Sequence, residues 1–207
     1  MTRFVTGLVL AAGGSSRLGR PKQLLPYGDE TLLGHVVATA CRYCPFDQLV
    51  VALGRSAAEV AAEVDLNGAD VVVNEEYRSG CSSSIVAALE VVDARCDVLV
   101  LMLADQPGVT GAAVASLLAG IGGAPLAVCR YEDGLGHPFA FSRLIFPELR
   151  ALHGDKGVWK LLDRHADELS EVRVPGHVPP DVDTWADYEA VLGAAGLPVP
   201  KEVLHGV

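Results

Sequence analysis

A glycine-rich segment near the N-terminus carries the residue types best suited to chemistry. Residues 8–26 read LVLAAGGSSRLGRPKQLLP, so an apolar run passes directly into small residues and then into cations. Small residues let the backbone approach a ligand closely, and successive N–H groups there point at anionic oxygens. Arg17 suits bidentate contacts to such oxygens, and Lys22 suits a compact point charge. The segment predicts a polyphosphate site, with a plain tight turn as the alternative.

Two familiar phosphate-binding motifs are absent from this segment. No Gly-Lys-Ser/Thr follows the glycines, so it is not a Walker A loop. Gly13, Gly14 and Gly19 do not have the GxGxxG spacing of a dinucleotide-binding loop. An NAD-dependent dehydrogenase is therefore disfavoured.

Asp105 is the first candidate metal ligand. It follows the apolar run Val98 to Leu103, which reads as a strand, so its carboxylate is expected at the carboxyl edge of a sheet. Mg²⁺ prefers one or two carboxylates together with phosphate oxygens and water. The alternative is that Asp105, before Gln106 and Pro107, only caps a turn.

A second carboxylate is available from Asp181 or Asp183. Asp183 directly precedes Thr184, where a helix is expected to begin. Because aspartate is favoured both as a helix N-cap and as a magnesium ligand, the residue type alone does not choose between these roles.

Three further segments offer polar groups. His137 lies between Gly136 and Pro138 in an expected loop, where an ordinary surface histidine is the alternative. Gly80, Ser82 and Ser83 precede a helical pattern, where the serines either bind an anion or cap the helix. Lys156 reaches a phosphate or is simply solvated.

The pattern along the chain predicts a single α/β domain over residues 1–195 and a tail over 196–207. Strands are predicted where Val and Leu form nearly continuous runs, as in strands buried on both faces: Val5 to Leu10, Gln48 to Leu53, Asp70 to Val73, Val98 to Leu103 and Leu126 to Cys129. A loop over Tyr131 to Phe141 is expected to enter a short strand at Phe139 to Ser142, and Glu171 to Val174 to form another. Helices are predicted at about residues 31–44, 56–64, 83–94, 111–119, 144–152, 156–164 and 184–192. This alternation indicates a mostly parallel sheet with helices on both faces.

Composition excludes several classes of protein. The chain has 207 residues, 50% of them hydrophobic, and a formal net charge of −10, which argues against a protein that coats nucleic acid. No apolar run approaches the roughly 18 to 20 residues of a membrane helix, and the N-terminus does not resemble a secretory signal. We therefore expect a cytoplasmic protein with no membrane or nucleic-acid partner, whose five cysteines are reduced and structural. The first 28 residues hold four cations and no carboxylate, which is consistent with a local anion site.

The ordered set of motifs resembles a known family. LAAGGSSRLGRPKQLLP is similar to the signature loop of the MobA-like nucleotidyltransferases, and its spacing is close to the branch of the molybdenum cofactor cytidylyltransferases and related purine-catabolism proteins. Further segments fit in the same order: NEEYRSGCSSSIVAAL at 74–89, LADQP at 103–107, GHP at 136–138, GDKG at 154–157 and DVDTWADY at 181–188. The resemblance covers most of the chain.

The resemblance implies a Rossmann-like fold, similar to the nucleotide-diphospho-sugar transferases, and Mg²⁺-dependent transfer of a nucleoside monophosphate. The nucleotide would be bound by Leu10, Ala11, Ala12, Gly13, Gly14, Ser15, Ser16, Arg17, Lys22, Gly80, Ser82 and Ser83, with Arg17 and Lys22 catalytic. Asp105 and Asp183 would hold Mg²⁺. Gly136, His137, Pro138 and Lys156 would line the acceptor side.

The resemblance favours CTP as donor and molybdopterin, or its molybdenum-loaded form, as the phosphorylated acceptor. A molybdoenzyme would then receive the product. A GTP-dependent guanylyltransferase or a sugar-phosphate nucleotidyltransferase is the alternative within the same chemistry. A non-catalytic partner that delivers the cofactor is the alternative from another class, disfavoured because Lys22 and Asp105 are retained.

Overall fold

The first apolar run forms the central strand of the protein. In the computed structural model, which describes residues 3–15 and 17–200, all seven residues of β1 (Val5–Ala11) are buried. β1 pairs in parallel with β4 (Gln48–Leu53) on one side and with β6 (Val98–Leu103) on the other. Its Val and Leu side chains therefore contact apolar residues on both faces of the sheet.

The main sheet also contains β5 (Asp70–Val73), β7 (Leu126–Arg130), β8 (Leu135–Ser142) and β9 (Leu169–Arg173). Its seven strands lie in the order β5-β4-β1-β6-β8-β7-β9. Only β8 runs antiparallel to its neighbours among these seven. The prediction of an α/β fold with a mostly parallel sheet is confirmed.

Helices cover both faces of the sheet. The helices are α1 (Leu32–Tyr43), α2 (Ala57–Glu63), α3 (Cys81–Ala88), α4 (Gly111–Gly120), α5 (Phe146–Arg150), α6 (Gly157–Arg164) and α7 (Trp185–Ala194). One face buries side chains of α1, α2 and α4, and the other buries side chains of α3, α5 and α6. Short 3₁₀ turns occur at Lys22–Leu24, Tyr77–Ser79, Arg143–Ile145 and Ala166–Glu168.

A third, smaller apolar cluster holds α7 against the segment that follows the glycine-rich loop. A two-stranded ribbon of β2 (Pro26–Tyr27) and β3 (Glu30–Thr31) lies here. Tyr188 of α7 is fully buried in this cluster, and its hydroxyl donates to the Pro26 carbonyl at 2.5 Å. This contact brings the C-terminal part of the chain next to the N-terminal loop.

The largest differences from the sequence prediction concern β8 and α3. β8 begins at Leu135, so Gly136, His137 and Pro138 lie in a strand and not in a loop. Pairing with β7 shifts register between Val128 and Cys129, and this bulge accommodates a proline that has no N–H to donate.

The helix predicted over 83–94 is α3, which begins at Cys81 and ends at Ala88. The Asp155 carboxylate accepts from the Cys81 N–H at its start, at 3.0 Å. Beyond its end, Gln48 donates to the Val91 carbonyl at 2.9 Å and accepts from the Asp93 N–H at 2.9 Å. These partners are distant in sequence, which is why local patterns did not reveal the true ends.

Among residues 3–15 and 17–200, no helix has the length and apolar character needed to cross a membrane. All five cysteines are free thiols.

Candidate active site

The glycine-rich loop leaves β1 at a topological switch point. Because β4 and β6 flank β1 on opposite sides, the chain connections diverge there and leave a crevice at the carboxyl edge. The loop lies against the end of β4, where a Cβ on Gly54 would stand 2.6 Å from the Ala12 carbonyl oxygen. Only glycine permits this approach, so the loop is seated directly on the sheet edge.

A buried glutamine holds the start of the loop. Gln23 is 3% exposed, and its Nε2 donates to the Ala11 carbonyl at 2.6 Å and towards the Gly13 carbonyl at 3.3 Å. Ser15 adopts a left-handed backbone conformation (φ 48°), and its hydroxyl accepts from the Lys22 N–H at 2.9 Å. These contacts order the loop.

Gly13 and Gly14 are exposed, so their backbone faces solvent at the crevice. Ser16, which was predicted to bind nucleotide with them, lies outside the described residues.

A cleft of about 290 Å³ lies between this loop and α3. Its lining brings together the β1 loop, the end of β6 and the start of α3: Leu10, Ala11, Ala12, Gly13, Gly14, Lys22, Gln23, Tyr77, Cys81, Ser84, Leu103, Ala104, Asp105 and Asp155. The cleft thus unites most of the predicted loop residues with Lys22 and Asp105.

The Lys22 ammonium group lies between two carboxylates at the end of this cleft. Its Nζ is 2.5 Å from Asp105 Oδ2, 2.8 Å from Asp183 Oδ1 and 3.0 Å from the Val182 carbonyl. The side chains of Lys22 and Asp105 are only 14% and 16% exposed. Burial alone lowers the pKa of Lys22, but the charges and hydrogen bonds of the two aspartates outweigh it and raise the pKa overall. Lys22 is therefore a permanent cation here.

Arg17 adds a second, more exposed positive charge. Its Nη1 lies 3.5 Å from Asp183 Oδ2, and both side chains are more than half exposed. Such a pair contributes little to stability, so the guanidinium is free to exchange partners when an anion arrives.

Asp105 and Asp183 form a donor set that suits a divalent cation. One oxygen of each carboxylate contacts the Lys22 ammonium group. The separation of these two oxygens is therefore at most the sum of their distances from Lys22 Nζ. No group of three or more His, Cys, Asp or Glu side chains in the described part of the chain is arranged to hold a metal. Two carboxylates that leave positions for phosphate and water match the preference of Mg²⁺.

Asp183 does not cap α7. The cap is Thr184, whose hydroxyl accepts from the Asp187 N–H at 3.2 Å while the Asp187 carboxylate accepts from the Thr184 N–H at 2.7 Å. This capping box leaves the Asp183 carboxylate to face Lys22 and Arg17.

Asp181 has a different partner. Its Oδ1 accepts from Gln106 Nε2 at 2.6 Å. Burial and the nearby negative charge of Asp105 raise the pKa of the Asp181 carboxyl. The two candidate carboxylates are thus separated by their contacts, with Asp183 towards Lys22 and Asp181 towards Gln106.

His137 lies on β8, with Gly136 and Pro138, and does not line the cleft. Its ring stacks on Phe139 with centroids 4.0 Å apart, and its carbonyl accepts from the Tyr131 hydroxyl at 2.7 Å. Burial lowers the pKa of His137 to about 4, so the ring is neutral near pH 7.

The predicted serines have internal partners. The Ser82 hydroxyl donates to the Gly154 carbonyl at 2.6 Å, and the Ser83 hydroxyl donates to the Gly80 carbonyl at 2.8 Å. The cleft is lined at this end by Cys81 and Ser84 instead. Lys156 is exposed at the start of α6 and is not part of the cleft lining.

Sequence reasoning missed Gln23, Tyr77, Ser84 and Asp155, all of which line the cleft. Ser84 follows Cys81 by three residues, which is the spacing of one helix face, so the pattern held a usable signal. Asp155 reaches the site only because its carboxylate meets the Cys81 N–H across 74 residues of sequence, and no local pattern shows this.

Known proteins resemble this chain in sequence and in fold. Residues 7–169 match the family described as the MobA-like NTP transferase domain. The nicotine blue oxidoreductase of Paenarthrobacter nicotinovorans is 38% identical over 119 residues, which are 55% of each chain. The chain thus spans about half the length of that curated relative.

Solved structures are similar over nearly the whole chain. A homologue of Mycobacterium tuberculosis Rv0371c from Mycobacterium sp. strain JC1 is 55% identical, with a TM-score of 0.88 over 93% of this chain and 96% of that one. Rv0371c of M. tuberculosis H37Rv in complex with manganese is 47% identical, with a TM-score of 0.83 over 92% and 99%. A nucleotidyl transferase from Methanothermobacter (23% identical, TM-score 0.77, covering 93% and 98%) shares the fold. With the family match extending from β1 to the start of β9, this chain belongs to the MobA-like NTP transferase domain family.

Proposed function

We propose that this nucleotidyltransferase-type domain transfers CMP from CTP to the phosphate of molybdopterin or its molybdenum-loaded form and releases pyrophosphate. The transfer depends on a divalent cation, in the first instance Mg²⁺. The product then passes to a molybdoenzyme in the cytoplasm.

The observation that carries the proposal is the position of Lys22 between Asp105 and Asp183, beside a cleft lined by the glycine-rich loop. This arrangement combines an ordered anion-binding backbone, a buried cation and two carboxylates within one site. Phosphoryl and nucleotidyl transfer requires positioning and charge neutralisation more than a covalent nucleophile, and these groups supply both.

Lys22 and Arg17 exchange partners when the triphosphate binds. Both cations contact aspartate oxygens in the structure. The phosphates offer a higher density of negative charge, so the cations turn towards them and the carboxylates become available to a metal ion. A divalent cation held by Asp105 and Asp183 would neutralise charge on the phosphate oxygens.

The chemical step is a displacement at the α-phosphorus of CTP. An oxygen of the acceptor phosphate forms a bond to that phosphorus, the bond to the oxygen that bridges the α- and β-phosphates breaks, and pyrophosphate leaves with that electron pair. Backbone N–H groups of the loop and the side chain of Lys22 stabilise the growing charge. No thiol is needed: burial and the charge of Asp155 raise the pKa of Cys81 to about 11, so it stays protonated.

Support for CTP and molybdopterin comes from the sequence motifs. Leu10-Ala11-Ala12-Gly13 resembles the form of the loop in cytidylyl branches, and GRPKQLLP with Gly136-His137-Pro138 resembles the molybdenum branch. The manganese complex of the relative supports a divalent metal.

A pyrophosphate-release assay tests the proposal. Purified protein is incubated with Mg²⁺ or Mn²⁺ and with CTP, GTP or ATP, each combined with anaerobically prepared molybdopterin or with sugar 1-phosphates. We expect release with CTP and molybdopterin only. Release with GTP contradicts the assignment of the base, and release with a sugar phosphate contradicts the assignment of the acceptor.

The control is Asp105→Asn, which preserves side-chain volume and removes the carboxylate charge beside Lys22. It should abolish release while CD spectra stay unchanged. A wild-type protein that binds CTP but releases no pyrophosphate with any acceptor contradicts catalysis and favours a cofactor-delivery protein.

A further inference from the structure

Gln106 follows Asp105 in the turn after β6 and is 4% exposed. Its Nε2 donates to the Pro179 carbonyl at 3.0 Å and to Asp181 Oδ1 at 2.6 Å. Both acceptors belong to the irregular segment that leads into α7. The amide therefore joins the turn that carries Asp105 to the segment that carries Asp183.

The hydrogen bonds define the orientation of the Gln106 amide. With the amide reversed, its oxygen would face a carbonyl and a carboxylate, so Nε2 must point at Pro179 and Asp181. Its Oε1 is buried and has no hydrogen-bond partner among the described residues. The contacts that the amide makes within this site are therefore those of its Nε2 group.

The segment over residues 179–183 has few other attachments to this turn. The Val182 N–H donates to the Asp105 carbonyl at 3.1 Å, and Gly108 packs against the Pro179 side chain. The segment contains no helix or strand, so its place depends on these contacts, on the burial of Val182 and on the contacts of Lys22 with the Val182 carbonyl and Asp183. Asp181 and Asp183 are two residues apart within it, and no regular element gives them different positions.

We propose that Gln106 is a positioning residue that binds one of these two carboxylates and so directs the other to the cation site. By holding Asp181 and the Pro179 carbonyl, it leaves Asp183 to complete the cation site with Asp105. This role rests on the proposed function, because it assumes that Asp105 and Asp183 hold the metal ion.

The test measures Mn²⁺ binding without turnover, by electron paramagnetic resonance of the free ion. Gln106→Met keeps the length of the side chain and removes both donors. We expect Mn²⁺ affinity to fall about 10-fold or more, as when residues that orient metal ligands are replaced. The thermal midpoint without metal should fall by no more than about 4 °C, because the side-chain volume is kept and water can replace the lost donor at the exposed Asp181 carboxylate.

Substitutions of Asp181 separate positioning from direct ligation. Asp181→Asn keeps an oxygen that accepts from Gln106, so its Mn²⁺ affinity should remain within about twofold of wild type, whereas Asp181→Ala should match Gln106→Met. The double variant Gln106→Met/Asp181→Ala should bind no more weakly than Gln106→Met, because the Gln106–Asp181 contact is already absent in that variant.

Three results overturn the proposal: wild-type affinity in Gln106→Met, an additive loss in the double variant, or a loss in Asp181→Asn as large as in Asp181→Ala. If Gln106→Met does not fold, the Asp181 pair still decides. Asp105→Asn tests the proposed function separately from the role of Gln106. Unchanged Mn²⁺ binding in that variant would contradict Asp105 and Asp183 as metal ligands, and with them the proposed function.

Discussion

Lys22 Nζ lies 2.5 Å from Asp105 Oδ2, in a position that a metal ion would share with the same carboxylate. The ammonium group also contacts Asp183 Oδ1 at 2.8 Å, so one cation neutralises both carboxylates that we propose as metal ligands. Without this counter-charge the half-buried Asp105 and the exposed Asp183 would repel each other. The proposed function therefore requires that Lys22 leave the aspartates when metal and nucleotide bind.

Replacing Lys22 with Met should affect metal binding and turnover in opposite directions. Without its competing cation, the aspartate pair should bind Mn²⁺ more tightly in the absence of nucleotide. The specificity constant for CTP should fall by about 10²–10³-fold, because a charge that stabilises the transition state is lost.

Lys160→Met is the matched control, since Lys160 is exposed on α6 and is not part of the cleft lining. It should leave both quantities unchanged. Weaker Mn²⁺ binding in Lys22→Met would contradict the competition between ammonium and metal.

The neighbouring Asp183 and Asp187 should separate function from stability. Asp183→Asn should weaken Mn²⁺ binding by at least about tenfold with little change in the thermal midpoint. Asp187→Ala should lower the free energy of unfolding by about 1 kcal/mol, since it removes the capping box of α7. For a chain of this size the midpoint then falls by about 2–4 °C. Titration with Mn²⁺ gives the affinity of each variant, and thermal unfolding gives its midpoint. Weaker Mn²⁺ binding in Asp187→Ala but not in Asp183→Asn would contradict the role of Asp183 as the metal ligand.

Replacing Gln23 with Met should weaken nucleotide binding. The substitution removes the hydrogen bonds from the Gln23 amide to the Ala11 and Gly13 carbonyls, so the loop becomes less ordered. The dissociation constant for CTP, measured calorimetrically in the presence of Ca²⁺ to suppress turnover, should rise about 5- to 10-fold, equivalent to about 1–1.4 kcal/mol. An unchanged constant would show that the loop is ordered by its other contacts.

Acid should destabilise the protein through His137. Burial lowers the pKa of this ring to about 4 from an ordinary 6.5, so between these values the unfolded chain binds a proton that the folded chain does not. Stability therefore falls as pH decreases through this range, by about 3 kcal/mol from this residue at pH 4. His137→Gln should remove that part of the loss, as followed by urea unfolding at pH 4, 5 and 7.

His153→Gln is the comparison, since His153 is exposed and its ring contacts solvent in both states. This variant should lose stability in acid as the wild type does. An identical acid loss in His137→Gln would show that other groups cause the pH dependence.

The amino-acid sequence by itself determined the type of fold and predicted the chemistry of its first loop. Continuous runs such as Val5–Leu10 and Val98–Leu103 are too apolar to face water on either side, so they predict buried parallel strands. Small residues followed by Arg17 and Lys22 predict an anion site because their properties are local: no distant contact is needed to expose a glycine backbone or to charge a lysine.

Only the tertiary structure decided which polar side chains meet. Asp181 and Asp183 are equivalent by residue type, and their roles separate because Gln106 and Lys22, far away in sequence, contact one each. Ser82 is of a residue type that suits ligand binding, but its hydroxyl donates to the Gly154 carbonyl, 72 residues away. Hydrogen-bond partners across more than 70 residues depend on how the layers pack, and a local pattern carries no record of that packing.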